Sequence, residues 1–145
     1  MQISTAIKWG HRALTSILLI VVIAWSLLEY SASGSYDDRL YSKQQLSPDI
    51  WLYVTKYQGG GATVSFVYRY YLNKRLDDPM PTLKKSSPFL TADTDNLKAS
   101  AVGNRVMVKL TGKVFNFTNS VLFYDEKIPI MPTIDFDATG VNAWK

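Results

Sequence analysis

The sequence predicts an N-terminal single transmembrane helix followed by a mainly antiparallel β domain outside the cytoplasm, β-rich with an α+β variant left open. Three observations lead there. Sixteen consecutive residues, Ala13 to Leu28, carry no charge. Val64, Phe66, Tyr68, Tyr70 and Leu72 alternate with Thr63, Ser65, Val67, Arg69 and Tyr71, the period of a strand. Glycine and proline then punctuate the remainder at short, strand-like intervals. The expected organisation is a cytoplasmic N-terminus over 1–12, a transmembrane helix over 13–30, a tether over 31–47 and a periplasmic β-rich domain over 48–145.

The apolar run comes first. At about 1.5 Å per residue, 16 residues make roughly 24 Å of helix, slightly short of a hydrocarbon core of about 30 Å. Lys8 and Arg12 can snorkel on one side, and Trp9, Trp25 and Tyr30 suit the two interfaces. Ile17, Leu18, Leu19, Ile20, Val21, Val22 and Ile23 cover every helical face, which excludes an amphipathic core helix. A cleavable leader is the rival, since Ser31-Ala32-Ser33 offers small residues for a cut. The length of the run and bulky Trp25 favour a retained anchor. Lys8, His11 and Arg12 precede the run while Asp37 and Asp38 follow it, so the positive-inside rule sets the N-terminus in the cytoplasm.

About 115 residues remain, enough for one modest core. The chain has no cysteine, so no disulfide or thiol chemistry is available, which fits a bacterial envelope protein. The net charge of +4 is dispersed, with only Lys74-Arg75 and Lys84-Lys85 adjacent; a nucleic-acid surface would need clustering.

Ser47-Pro48-Asp49 opens the most informative stretch. Ile50–Tyr57 is nearly all aromatic and β-branched, which favours a strand over a capped helix. Gly59, Gly60 and Gly61 between it and the alternating run predict a hairpin whose turn needs positive φ. Residues 73–96, with Pro79, Pro81 and Pro88, read as a long loop. Leu97–Val102, Gly103-Asn104 and Arg105–Leu110 read as a second hairpin with Val106, Val108 and Leu110 on one side. A change of face past Gly112 suggests a bulge at Thr111-Gly112. Val121–Tyr124 is a further short strand, and Pro129 and Pro132 limit Ile128–Phe136 to an edge strand or tail. Five or six strands are expected, with Asp38–Gln45 in the tether or a short helix.

Ser47-Pro48-Asp49 and Gly60-Gly61-Ala62-Thr63, spanning residues 47–73, resemble a hairpin of small membrane-anchored bacterial proteins of unassigned function. The resemblance implies the fold and the envelope location and brings no catalytic residues.

Chemistry is sparsely provided for. His11 is the only histidine and lies before the anchor, so the outer domain has no imidazole base, nucleophile partner or metal ligand. Asp77-Asp78, Asp93 with Asp95, Asp125-Glu126, and Asp135 with Asp137 sit in turn-like contexts that suit local hydrogen bonding. Residues 93–104 miss the glycine and glutamate of a calcium loop. No catalytic residue, metal site or cofactor is therefore expected. Trp51, Tyr53, Tyr57, Tyr68, Arg69, Tyr70 and Tyr71 are the candidate partner-binding residues, because Tyr, Trp and Arg dominate binding hot spots and nine tyrosines are many for a small core. The expected partners are the membrane and another protein, not nucleic acid. The reading is non-enzymatic: an immunity or inhibitor protein against an envelope-acting toxin, or alternatively an accessory subunit of a secretion, conjugation or transport complex. A carboxylate-dependent hydrolase ranks below both.

Overall fold

The structure, a computed structural model, describes residues 2–32, 38–57 and 65–140, with helical side chains described for 5–28. Its contacts divide into two compact units, Met1–Ser35 and Tyr36–Lys145.

The first unit is one helix, α1 (Gln2–Ala32). The stretch Thr5–Leu28 is long and apolar enough to cross a membrane, a test that a signal sequence also meets, and no side chain in it is buried. Ile17 to Ile23 are each at least half exposed, as expected of a helix apolar on every side. The helix begins well before Ala13 and carries Lys8, Trp9 and Arg12 within its first turns. Tyr30 belongs to the part of α1 whose side chains lie outside the described residues.

The second unit is a β sandwich of β1 (Asp38–Gln45), β2 (Trp51–Tyr57), β3 (Tyr68–Asn73), β4 (Leu90–Ala92), β5 (Leu97–Val102), β6 (Arg105–Thr111), β7 (Val114–Phe117), β8 (Phe123–Asp125), β9 (Ile128–Ile130) and β10 (Thr133–Thr139), with one short helix, α2 (Pro79–Leu83). A five-stranded sheet runs β1-β2-β3-β4-β7, a three-stranded sheet runs β10-β6-β5, and β8-β9 form a separate ribbon. Leu52, Val54, Tyr68, Tyr70, Leu72 and Leu90 from the larger sheet meet Val106, Val108, Leu110 and Ile134 from the smaller in one core. Phe117 stacks on Phe136 at 4.4 Å where the sheets meet. The fold is antiparallel-rich, with one parallel pair, β10 on β6.

Several expectations hold and several are corrected. β2 and β3 pair antiparallel as foreseen, with Tyr53 opposite Tyr71. Gly59, Gly60 and Gly61 lie outside the described residues. β3 runs from Tyr68, and beyond it Tyr57 N–H bonds the Val67 carbonyl at 2.9 Å; Thr63 and Val64 lie outside the described residues. The second hairpin falls where the sequence put it, Val102 opposite Arg105, with Gly103 at φ 59°. The supposed tether ends earlier: Asp38–Gln45 is β1, the edge strand of the larger sheet, since its backbone completes the free side of β2 despite a polar sequence. The 73–96 loop contains α2, started by Pro79 at its first turn, and β4, which Leu90 and Ala92 bury in the core. Among the described residues there are ten strands against the five or six expected; three of them are only three residues long, too short to show periodicity, and β1 is polar.

Candidate interaction site

Strand parity divides the seven candidate partner-binding residues between two faces. Tyr68 and Tyr70 point into the sandwich at 6% and 1% exposure. Burial pushes the Tyr70 hydroxyl pKa well up, and that hydroxyl donates to the Thr94 carbonyl. Trp51, Tyr53, Arg69 and Tyr71 share the opposite face, which α2 and its flanking loop cover. Tyr53, Tyr71 and Leu83 form a second apolar cluster with Trp51, Leu40 and Leu76. The Tyr53 hydroxyl donates to the Lys74 carbonyl at 3.0 Å and accepts from Leu76 N–H at 2.7 Å, so the loop closes over the ring. Arg69 reaches Asp38 at 2.6 Å, and Thr55 Oγ1 donates to the other Asp38 oxygen at 2.7 Å. Of the seven, Trp51, Tyr57 and Arg69 keep partial exposure while four tyrosines are interior. The four interior tyrosines belong to the packing of the domain, and the Tyr53 and Tyr70 hydroxyls are bonded internally.

Four further carboxylates also have partners. Asp93 Oδ1 accepts from Lys113 N–H at 2.8 Å, Asp95 from the Tyr41 hydroxyl at 2.6 Å, and Asp125 and Asp135 pair with Lys74 and Arg105.

What remains exposed and apolar lies elsewhere. In the β8-β9 ribbon Phe123 opposes Ile130 and Tyr124 opposes Pro129. Phe123 and Ile130 belong to the core. Tyr124 and Pro129 therefore face outward, and alternation carries Leu122 and Met131 to the same side. Leu122, Tyr124 and Met131 are 52%, 58% and 60% exposed. Asn104 Nδ2 donates to the Met131 carbonyl at 2.7 Å, which ties the ribbon to the β5-β6 turn and brings 72%-exposed Val102 beside it. A groove of about 350 Å³ runs alongside, lined by Ile50, Gly103, Asn104, Pro129, Ile130 and Met131, with Asp49 at its rim.

Register fixes the place of this patch in the domain. Gln45, Trp51, Asn73, Val102 and Arg105 lie at one end of the sandwich, and the ribbon stands there. Asp38, Tyr57, Tyr68, Ala92 and Leu97 lie at the other. Comparison of the chain with protein-family models, curated proteins and solved structures finds no match.

Sequence reasoning passed over the ribbon although a signal was present. "VLFYDEKIPIMP" is apolar at both parities, and a strand apolar on both faces has one face left for something other than its own core.

Proposed function

We propose that this chain is a bitopic bacterial inner-membrane protein with a cytoplasmic N-terminus, whose periplasmic β domain binds another protein and acts as an immunity or inhibitor protein against an envelope-acting toxin. One observation carries the binding reading: the outer face of the β8-β9 ribbon exposes Leu122, Tyr124, Pro129 and Met131 while its inner face already anchors it to the core. Folding does not require the outer face, and an apolar patch retained in solvent marks an interaction surface. Fully burying one such side chain contributes about 1.5–3 kcal/mol, so a few form a workable hot spot beside the groove. Anchoring would supply the rest, because confinement at the bilayer raises the effective concentration of a membrane-localised partner. An inhibitor needs a surface and no chemistry, and Asp38, Asp93, Asp95, Asp125 and Asp135 of the domain are engaged in internal contacts.

The test places a photoreactive residue at Tyr124, Met131 or, as control, exposed Ser100 on β5, in cells. A discrete adduct from the ribbon positions, lost on Leu122→Glu and absent from Ser100, is expected. A toxin as the captured protein supports immunity, whereas a resident subunit of an envelope complex supports the accessory role. No ribbon adduct, or an equal one from Ser100, overturns the binding reading.

A further inference from the structure

The opposite end of the sandwich carries a different surface. There the Lys56 ammonium lies 3.9 Å from the ring centre of Phe66, 5.4 Å from Tyr68 and 5.9 Å from Tyr41. Tyr41 occupies the irregularity between Leu40 and Ser42 in β1, and its ring meets Tyr68 edge-on at 5.3 Å. A bulge re-aims a side chain in this way. Phe66 and Tyr41 remain 61% and 49% exposed, and exposed Arg39 pairs directly with Lys56 across the strands. At the same end, the register Tyr68–Ala92–Val114 places β7's first residues, where the Lys113 ammonium lies 5.5 Å from the half-exposed Phe115 ring. Exposed aromatic rings interleaved with cations are the composition of protein surface that settles at lipid headgroups.

This is also the end at which the chain arrives from the helix. β1 begins there at Asp38, opposite Tyr57. Only residues 33–37 separate Ala32, the last residue of α1, from Asp38. A stretch of that length spans at most about 20 Å when fully extended.

We infer that the Arg39–Tyr41–Lys56–Phe66 end, with Lys113 and Phe115, docks on the anionic headgroups of the bilayer that holds α1. This rests on the proposed anchoring of α1. Docking would hold the β8-β9 ribbon at the end of the domain remote from the lipid, where a partner can reach it. Asp95 on the Tyr41 hydroxyl and Asp93 on Lys113 N–H offset part of the charge of Arg39, Lys56 and Lys113. The attraction therefore combines a modest net positive charge with the aromatic rings, and depends on lipid charge and on salt within a Debye length of about 10 Å at 0.1 M.

The test uses the full chain in nanodiscs. The natural sequence lacks cysteine, so single cysteines can be labelled cleanly with an environment-sensitive fluorophore. Probes go at Leu19 in α1, at exposed Ser65 beside Phe66, and at Met131 on the remote ribbon. In phosphatidylglycerol-containing discs the Ser65 emission should shift to shorter wavelength and be quenched by headgroup-labelled lipid, while Met131 is not. The Ser65 shift should fall away in pure phosphatidylcholine, in high salt on the otherwise unaltered chain, and in Arg39→Glu/Lys113→Glu, two exposed positions. A Leu19 probe deep in the hydrocarbon with Ser65 quenched no more than Met131 overturns the docking alone. A Leu19 probe in water overturns the anchor, and the docking with it. A Ser65 shift that appears only when a second membrane protein is present also overturns it, since the surface then belongs to a protein partner.

Discussion

Two ion pairs of nearly equal length should differ several-fold in what they contribute. Arg69–Asp38 spans 2.6 Å and Arg105–Asp135 spans 2.5 Å. The first pair is 11% and 4% exposed at its side chains, the second 67% and 44%. Replacing one member of a buried pair leaves its partner's charge in a poor solvent and costs about 3–5 kcal/mol. Arg69 has a further contact, so we place Asp38→Ala at the lower end, about 3 kcal/mol. The loss includes the acceptor of Thr55 Oγ1, itself 1% exposed. Asp135→Ala removes an exposed pair and should cost under about 1 kcal/mol. For a domain of this size 1 kcal/mol moves Tm by several degrees, so Asp38→Ala should lower it by about 10 °C and Asp135→Ala by a few degrees at most. The assay is a thermal melt of the full chain in detergent, followed by near-ultraviolet circular dichroism. Equal shifts for the two variants would refute the premise that burial, not separation, sets the value of these pairs.

Gly112 sits at φ 151°, and a Cβ there would come within 2.3 Å of Thr94 Cγ2 and 2.9 Å of Thr94 Cβ, so Gly112→Ala should destabilise by at least about 2 kcal/mol in a urea melt. Gly103 has φ 59° but open space, and Gly103→Ala should cost about 1 kcal/mol from conformation alone. Alkali should unfold the domain: burial raises the Tyr53 and Tyr70 hydroxyl pKa values above the ordinary 10.0, so the folded state retains protons that the unfolded chain releases. Their contribution is complete below about pH 10 and declines as pH rises above it; an ultraviolet titration should show these phenols ionising only with unfolding, and Tyr53→Phe/Tyr70→Phe should flatten the alkaline limb. For the anchor, a reporter fused after Lys145 should be active only in the periplasm and the intact chain should sediment with membranes; cytoplasmic activity, or an N-terminus found near Gly34, would remove the topology on which the proposed function rests.

What was legible in the sequence follows from how each element obtains its stability. α1 and the β5-β6 hairpin declare themselves because local composition decides them: continuous apolarity in one, alternation around Gly103-Asn104 in the other. β1 is not legible, since Asp38–Gln45 reads as a polar linker and is a strand only because β2 offers hydrogen bonds along its edge. The β8-β9 turn is equally hidden. Its tip places Glu126 at φ 53°, where a glycine, asparagine or aspartate would have signalled a hairpin. The aromatic block shows the more general difficulty. Tyrosine, tryptophan and arginine have the same appearance in a sequence whether they meet a partner or the protein's own loop. The deciding fact was the covering of Tyr53 and Tyr71 by residues 74–83, a tertiary event that begins with a proline-rich stretch of no period. Polarity alternation can still separate the two cases in one circumstance. Tyr68 and Tyr70 lie in a strand whose neighbours on both sides are supplied by the fold, whereas Tyr124 and Met131 lie on a two-stranded ribbon that has only one core to face. A ribbon apolar on both sides has a face that, among the described residues, the core leaves uncovered, and that is where a binding surface should be sought.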